Sequence, residues 1–191
     1  MITAQIPITA GKYLEKERSK TSQEHKSELV NGKIINMAGA SEPHNKLSSN
    51  VLALLWIFFQ HKDFNVYHAD LKVKNLSGNY YYPDIVVVNG DCVFEDENQD
   101  IITNPYIIIE ILSDTTESVD RGQKFKDYRS LPSLQEYILI SQDKYCIENF
   151  YRNDDNQWII GDIILNKMNI FNFKSIELAL PLEEIYQRVK I

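Results

Sequence analysis

The apolar residues of this chain alternate between helical spacing and short continuous runs. Leu47, Val51, Leu54 and Phe58 recur three or four positions apart, which predicts a helix. The predicted helices cover 11–20, 41–61 and 118–130, with a last one from Pro181. The predicted strands cover 27–30, 33–37, 65–74, 80–88, 106–112, 136–141, 145–151 and 157–164. An Asn31-Gly32 pair between the first two strands indicates a tight hairpin.

The order of these elements predicts an α/β fold with a mixed sheet. From about 41 to 141 the chain reads α-β-β-β-α-β, preceded by a helix and a hairpin and followed by a β extension. The runs 80–88 and 106–112 are almost continuously apolar, as in strands that are buried on both faces. No linker or repeat divides the chain, so we expect a single domain over 1–191.

Composition agrees with a globular protein, since 43% of the residues are hydrophobic and 25% are charged. The longest apolar run, 51–59, is far shorter than the roughly 20 residues that span a membrane. Met1–Gln5 show no basic segment leading into an apolar one, so no signal peptide is expected. Two cysteines form neither a disulfide framework nor a zinc motif. A soluble cytoplasmic protein without membrane contact is predicted.

The net charge of −7 argues against a typical nucleic-acid-binding protein. Five acidic residues lie in 89–104, which reads as a solvated loop. Between Arg121 and Arg129 four basic residues face one acidic residue, which predicts a local positive face. Polyanion binding is therefore expected to be weak and sensitive to salt.

Two carboxylates stand where the strand pattern calls for apolar residues. Glu110 interrupts the run 107–112, and Asp84 opens the run that follows Pro83. In consecutive strands these side chains can lie side by side and offer hard oxygen ligands to Mg²⁺ or Mn²⁺. The alternative is that Glu110 pairs with a buried cation and that Asp84 caps the turn at Pro83.

The helix at 118–130 adds a lysine. At about 100° per residue, Lys124 shares a face with Arg121, Phe125 and Tyr128. Because Phe125 and Tyr128 are expected to pack on the sheet, Lys124 is drawn inward with them. A lysine beside paired carboxylates suits phosphoryl chemistry. Otherwise its stem simply covers apolar surface while the ammonium reaches water.

Three further residues are weaker candidates. His44 lies on the inward stripe of its helix, where it would orient a phosphate or water, or serve as a hydrogen-bonded core histidine. Glu28, just before the hairpin turn, is a carboxylate near the site or an exposed cross-strand partner. Asp70 shares its strand face with Lys72 and Lys74, which predicts a solvated face, with a role beside the metal as the alternative.

Five strings of the sequence, in order, resemble the PD-(D/E)XK nuclease superfamily. Within it they resemble the restriction-endonuclease-like family once classed as a domain of unknown function. The strings are Glu28-Leu29-Val30-Asn31-Gly32-Lys33-Ile34, Met37-Ala38-Gly39-Ala40-Ser41 with His44-Asn45, Tyr82-Pro83-Asp84-Ile85-Val86-Val87, Ile109-Glu110-Ile111-Leu112-Ser113, and 120–128. The superfamily pattern puts its lysine at position 112, which is Leu112 here; the family's displaced lysine matches Lys124.

This resemblance implies a metal-dependent endonuclease with Asp84 and Glu110 as ligands of Mg²⁺ or Mn²⁺, and the carbonyl of Ile111 as a further ligand. Lys124 would act on the attacking water, and Glu28 and His44 become active-site candidates. DNA is the implied partner. Because such nucleases often pair to cut both strands, a homodimer is plausible. Two rivals stay open, namely an inactive nuclease-fold module that binds nucleic acid or protein, and a hydrolase of small phosphoesters.

Overall fold

The computed structural model describes residues 7–21 and 23–191, and the segment used to predict the lack of a signal peptide, 1–5, lies outside them. The helical segments are α1 (Ala10–Arg18), α2 (Glu42–Phe59), α3 (Glu117–Val119), a π-helical turn (Asp120–Lys124), α4 (Phe125–Tyr128) and α5 (Leu182–Ile185). In the ranges the model covers, none of these helices is long and apolar enough to cross a membrane.

The strands build two larger sheets and a small one. They are β1 (Ser27–Val30), β2 (Lys33–Asn36), β3 (Phe64–His68), β4 (Lys72–Lys74), β5 (Tyr80–Tyr81), β6 (Ile85–Asn89), β7 (Ile101–Ile102), β8 (Ile107–Leu112), β9 (Glu136–Ser141), β10 (Ile147–Arg152), β11 (Trp158–Ile164), β12 (Ile170–Asn172) and β13 (Ala179–Pro181). A six-stranded sheet has the order β11-β10-β9-β8-β6-β3, and a five-stranded sheet the order β2-β1-β5-β4-β7. The predicted mixed α/β fold is confirmed, because β8 runs parallel to β9 and antiparallel to β6.

The six-stranded sheet is covered on both faces, as the apolar runs predicted. In β8, Ile107 and Ile109 pack against α2, whereas Ile108 joins the core on the opposite face beside Tyr128. A strand turns alternate side chains to opposite faces. Glu110 therefore points to the same side as Ile108, toward the helices of residues 117–128.

Local signals place the ends of several elements where they were predicted. Ser41 caps α2 by accepting a hydrogen bond from the backbone N–H of His44, 3.3 Å away. Asn31 and Gly32 both have positive φ, 50° and 74°, which is the conformation that a two-residue hairpin turn requires. Pro181 directly precedes the short α5.

Two predicted strands, 65–74 and 80–88, are each divided between the two sheets. β3 pairs with β6 in the larger sheet, and β4 pairs with β5 in the smaller one. The breaks fall at Ala69, whose φ is 45°, and at Pro83, which has no N–H for a ladder. The backbone N–H of Ala69 donates to the carbonyl of Asp84, so the two strands bend together from one sheet into the other.

The segment 89–104 is solvated at Asp91 and at residues 96–99, as its charge predicted, but it is not a simple loop. It contains β7, and the Asp100 carboxylate lies between Arg18, at 2.7 Å, and the Nζ of Lys72, at 2.7 Å. Lys72 is only 3% exposed, so the predicted solvated face is wrong for this residue, whereas the side chain of Asp70 is 80% exposed. Part of the local acidity is structural, because Asp100 neutralises the buried Lys72, and Asp96 and Glu95 pair with Arg18 and Lys74.

The predicted helix 118–130 forms, but it is not a uniform α-helix. Its middle, Asp120–Lys124, is a π-helical turn between α3 and α4. Such a turn accommodates one extra residue and is frequent at functional sites. Both ends of this turn, Asp120 and Lys124, are buried.

Candidate active site

Asp84 and Glu110 lie on adjacent strands at one end of the six-stranded sheet. The antiparallel register that pairs Ile85 with Ile109 places Asp84, one residue before β6, opposite Glu110 in β8. Cross-strand neighbours of this kind share a face of the sheet. The side-by-side placement expected from the sequence is therefore present.

Asp84 is held by hydrogen bonds on both carboxylate oxygens. The backbone N–H of Ile111 donates to Oδ2 at 2.7 Å, and Nε2 of His44 donates to Oδ1 at 2.9 Å. Burial alone would lower the pKa of His44, but the hydrogen bond and the negative charge of Asp84 raise it above its usual value. The side chain of Asp84 is 18% exposed, so it is partly accessible to water.

Glu110 is the buried member of the pair, with 2% exposure. Its Oε1 accepts hydrogen bonds from Lys124 Nζ at 3.1 Å and from the hydroxyl of Tyr128 at 3.4 Å. Burial raises the pKa of Glu110 well above its usual value, and nearby carboxylates raise it further against the opposing charge of Lys124. The folded site therefore favours the protonated form of Glu110 unless a further cation lies nearby.

Lys124 points inward, as its helical face predicted, and its ammonium is shared among three carboxylates. Besides Glu110, Nζ lies 3.0 Å from Asp120 Oδ1 and 3.6 Å from Glu28 Oε1. Burial alone would lower the pKa of Lys124, but these carboxylates hold it well above its usual value. Lys124 therefore stays protonated at neutral pH.

Glu28 belongs to the five-stranded sheet, whereas Asp84 and Glu110 lie at the six-stranded one. It lies on β1, is 6% exposed, and its Oε1 accepts a 3.0 Å hydrogen bond from the backbone N–H of Tyr82. The alternative of an exposed cross-strand partner is therefore wrong. Because Tyr82 lies two residues before Asp84, this bond ties the smaller sheet to the strand end that carries the site.

Asp120 was not predicted to belong to the site, although it lies in the fifth of the strings that carry the resemblance. It is 1% exposed, and its Oδ1 makes no hydrogen bond even though Lys124 Nζ is close. The spacing of four between Asp120 and Lys124 was a usable signal, since side chains four apart share a helix face. Tyr128, predicted only as a packing residue, also reaches Glu110.

Arg121 does not add to a positive face. Its guanidinium donates to both oxygens of Glu148 at 2.6 Å, and its Nε donates to Glu117 at 2.7 Å. Since Lys124 is buried as well, only Lys126 and Arg129 of the four basic residues are exposed. Only half of the charges of the predicted positive face are therefore exposed, and Arg121 could contact a phosphate only by leaving two carboxylates.

The donor set suits a hard divalent cation. Within the described part of the chain, no group of three or more His, Cys, Asp or Glu side chains is arranged to hold a metal ion by itself. Mg²⁺ is commonly held by only one or two carboxylates, with water and substrate phosphate completing its shell. Asp84 and Glu110 match that pattern, and a divalent cation beside them would favour the charged form of Glu110, which burial opposes.

Leu112, where the superfamily pattern has its lysine, is buried in the apolar core on the helix side of the sheet. It shares a face of β8 with Glu110, two residues away. Lys124 brings its ammonium to Glu110 from the helix instead. The departure at position 112 therefore leaves a lysine beside the carboxylates, contributed by a different element.

Comparison with known proteins identifies relatives over most of the chain. Two uncharacterized proteins of Synechocystis sp. (strain ATCC 27184 / PCC 6803 / Kazusa) are similar along nearly their whole lengths. The protein sll1609 is 36% identical over 88% of this chain and 95% of its own, and slr1290 is 32% identical over 94% and 92%.

A solved structure has the same fold. The 1.96 Å crystal structure of a "putative nuclease belonging to DUF820" from Anabaena variabilis ATCC 29413 superposes with a TM-score of 0.72, covering 94% of this chain and 98% of that one at 19% identity. This match confirms the expected nuclease-like fold. The model of the Uma2 family, described as "putative restriction endonuclease", matches residues 11–174. This chain belongs to the Uma2 family.

Proposed function

We propose that this protein is a metal-dependent DNA endonuclease of the cytoplasm that hydrolyses phosphodiester bonds. The observation that carries the proposal is the placement of Asp84 and Glu110 across adjacent strands, with the Lys124 ammonium 3.1 Å from Glu110. Family membership supports the reaction class. The proposed ligands of Mg²⁺ or Mn²⁺ are Asp84, Glu110 and the carbonyl of Ile111.

Each residue has a distinct part in the proposed reaction. When bound, a divalent cation supplies Lewis acidity that polarises the scissile phosphate and eases deprotonation of the attacking water. Lys124 stabilises the negative charge that develops on the phosphate and orients the water. His44 and the backbone N–H of Ile111 fix the Asp84 carboxylate, so that it needs little reorganisation when substrate arrives.

Glu28 and Asp120 act on Lys124 in this proposal. Both carboxylates lie within 3.6 Å of its ammonium and hold it near the site in the absence of substrate. They also keep it protonated, which its stabilising role requires. Tyr128 donates to the Glu110 oxygen that Lys124 contacts, and so restricts the rotation of that carboxylate.

A nicking assay tests the proposal. Purified protein is incubated with Mg²⁺ or Mn²⁺ and with supercoiled plasmid or single-stranded DNA. We expect cleavage that Asp84→Ala and Glu110→Gln each reduce by at least about 100-fold, while Asp155→Asn, a change of an exposed carboxylate, leaves it intact. Equal residual cleavage by wild type and Asp84→Ala would show that the site is assigned wrongly.

A non-catalytic nuclease-fold module is the second candidate. It is favoured by the three carboxylates around Lys124, which leave its ammonium little freedom to meet a phosphate. Calorimetric titration with Mn²⁺ separates the two functions. If the protein is an endonuclease, it must bind Mn²⁺, and Glu110→Gln must abolish that binding. If it binds DNA or a protein but no Mn²⁺ at this site, it is the non-catalytic module. Hydrolysis of a small diester in preference to DNA would indicate the third alternative.

A further inference from the structure

Lys26 lies at the rim of the candidate site, just before the strand that carries Glu28. It directly precedes β1, and its carbonyl accepts a hydrogen bond from the backbone N–H of Met37, 2.9 Å away. Its Nζ lies 5.4 Å from the centre of the Tyr82 ring, a distance at which the ring attracts a cation. Glu28 accepts a hydrogen bond from the backbone of the same tyrosine. Lys26 and Glu28 therefore both contact the residue two positions before Asp84.

The Lys26 ammonium lies on the side of Asp84 that faces away from Glu110. Its Nζ donates a 2.9 Å hydrogen bond to the carbonyl of Ala69. The antiparallel register of β3 and β6 places Ala69 opposite Asp84, and the register of β6 and β8 places Glu110 on the other side. These three residues thus form a row across the end of the sheet, with about 4.8 Å between neighbouring strands. Lys26 lies at one end of this row and Lys124 at the other.

The Lys26 ammonium is held only weakly. Its one carboxylate partner among the described residues is Asp70, whose side chain is 80% exposed, and the side chain of Lys26 is itself 40% exposed. An exposed ion pair of this kind contributes little, so a phosphate can replace the carboxylate. Arg121 differs, because it binds both oxygens of Glu148, which is only 18% exposed. Lys26 can therefore meet a phosphate without leaving a buried carboxylate unpaired.

We propose that Lys26 binds the phosphate next to the scissile phosphate of a DNA strand. This inference rests on the proposed function, in which Asp84, Glu110 and their metal place the scissile phosphate. From the middle of the Asp84–Glu110 pair to Ala69 is one and a half strand spacings, about 7 Å, which one nucleotide of a DNA strand spans. The DNA strand therefore crosses the ends of β8, β6 and β3, from Lys124 to Lys26.

Asp70 competes with this phosphate. Its carboxylate binds the Lys26 ammonium when no DNA is present, and its negative charge repels an approaching strand. A phosphate must displace it, which agrees with the weak polyanion binding expected from a net charge of −7. Removal of the lysine and removal of the carboxylate therefore have opposite effects on DNA binding. A merely structural ion pair would be lost equally in both variants.

DNA binding tests this contact without relying on cleavage. Fluorescence anisotropy of a labelled single-stranded oligonucleotide is measured in Ca²⁺, which takes oxygen ligands as Mg²⁺ does, and denaturing gels check that the probe is intact. Lys26→Met is expected to weaken binding about 5- to 10-fold at about 50 mM salt, and to reduce the slope of log K against log salt by about 0.7. Asp70→Asn is expected to strengthen binding about 3-fold.

Two controls separate the contact from a general loss of charge or of folding. Lys167→Met removes an exposed lysine in the turn after β11, at the edge of the six-stranded sheet opposite β3, and should change neither the affinity nor the slope. Lys26→Arg keeps the charge and should retain binding.

The possible results distinguish this proposal from the proposed function. Equal affinity and equal slope for wild type and Lys26→Met overturn the phosphate contact, and nicking by wild type would then leave the endonuclease supported. Weaker binding by both Lys26→Met and Asp70→Asn indicates a structural pair and also overturns the contact. A wild type that binds no DNA overturns both proposals. The expected binding changes in a protein that never nicks DNA would support the contact and contradict the endonuclease.

Discussion

Lys124 is the residue on which the electrostatics of the site depend. Its ammonium lies within 3.6 Å of Glu28, Glu110 and Asp120, and all four side chains are at most 8% exposed. A buried charge that loses its partner costs far more than the pair contributes. Removal of this one cation would leave three buried carboxylates without compensation.

Lys124→Met should therefore destabilise the metal-free protein by about 3–5 kcal/mol, measured by urea unfolding at pH 7. Lys126→Met, at an exposed position two residues along the helix, should change stability by no more than about 0.5 kcal/mol. A Lys124→Met protein as stable as wild type would mean that the carboxylates are not charged together in the folded state.

The sequence predicts the residues of the candidate site only where their placement depends on the local strand or helix pattern. Asp84 and Glu110 stand out because each breaks an apolar strand, and consecutive strands place them together. Lys124 follows from helical period. The burial of Glu28 depends on the N–H of Tyr82, 54 positions away, and on a second sheet whose pairing no local pattern encodes. His44 was placed inward correctly, but its bond to Asp84 again joins distant segments.

Among the elements, the π-helical turn governs how Lys124 is presented. The turn adds a residue to the helical ladder between Asp120 and Lys124, and both side chains reach the site. Deletion of one residue within it, Gly122, would restore the α-helical period and remove the bulge in which Asp120 and Lys124 both turn toward the site. The buried aromatic contacts of Tyr128 hold the segment after the turn in place, so the loss would fall on the spacing between Asp120 and Lys124.

We expect the deletion of Gly122 to abolish nicking while the circular dichroism of the sheets persists. Gly122→Ala is the matched control, because a Cβ there meets no atom within 4 Å. Alanine should stabilise the helix by about 0.5–1 kcal/mol and leave nicking unchanged. Full activity of the deletion variant would show that the π-helical turn has no part in presenting Lys124.

The Asp100 carboxylate joins two elements, since it binds Arg18, the last residue of α1, and Lys72 in β4. The hydrogen bond from Arg18, with that from Lys72, lowers the pKa of Asp100 from 3.8 to about 2. A lowered pKa contributes stability above the unfolded value, and this contribution is lost as pH falls through the folded value. The contribution at pH 7 is about 1 kcal/mol, with allowance for solvent screening.

Asp100→Asn should accordingly reduce the free energy of unfolding at pH 7 by about 1 kcal/mol, and the difference from wild type should vanish as pH falls from about 4 to 2. Urea titrations at several pH values measure it. A difference that is the same at pH 7 and pH 2 would mean that the ion pairs do not carry the effect.

The sequence pattern predicted whether a segment is a helix or a strand better than it predicted where that segment begins and ends. Helix and strand periods located α1, α2, β8 and β9 nearly to the residue. The two divided strands could not be recognised, because β3 with β4 and β5 with β6 each read as one extended run and the sheet change depends on pairing. The short strands β7, β12 and β13 have two or three residues each, too few for any period to show.

At the scale of the molecule, the candidate site couples the two larger sheets. Glu28 belongs to the smaller sheet, Asp84 and Glu110 to the larger one, and the helical segment 117–128 contributes the lysine. The N–H of Tyr82 and the backbone bond between Ala69 and Asp84 cross from one sheet to the other at this point. Separate unfolding of either sheet would dismantle the site.

We therefore keep the prediction that residues 1–191 form one domain and expect a single unfolding transition. Trp56 lies on α2, and Trp158 begins β11, so their fluorescence reports different regions. In guanidinium unfolding at one protein concentration, the fluorescence of single-tryptophan variants and the far-UV circular dichroism should coincide. Transitions with different midpoints would indicate two independently folding units.

The central claim is that Asp84 and Glu110 hold a divalent cation at the site served by Lys124. Anomalous diffraction from a crystal soaked in Mn²⁺ tests it most directly. We predict one strong anomalous peak about 2.1 Å from an oxygen of each carboxylate, and loss of that peak in a Glu110→Gln crystal soaked in the same way. Mn²⁺ peaks elsewhere on the protein, with none between Asp84 and Glu110, would contradict the claim.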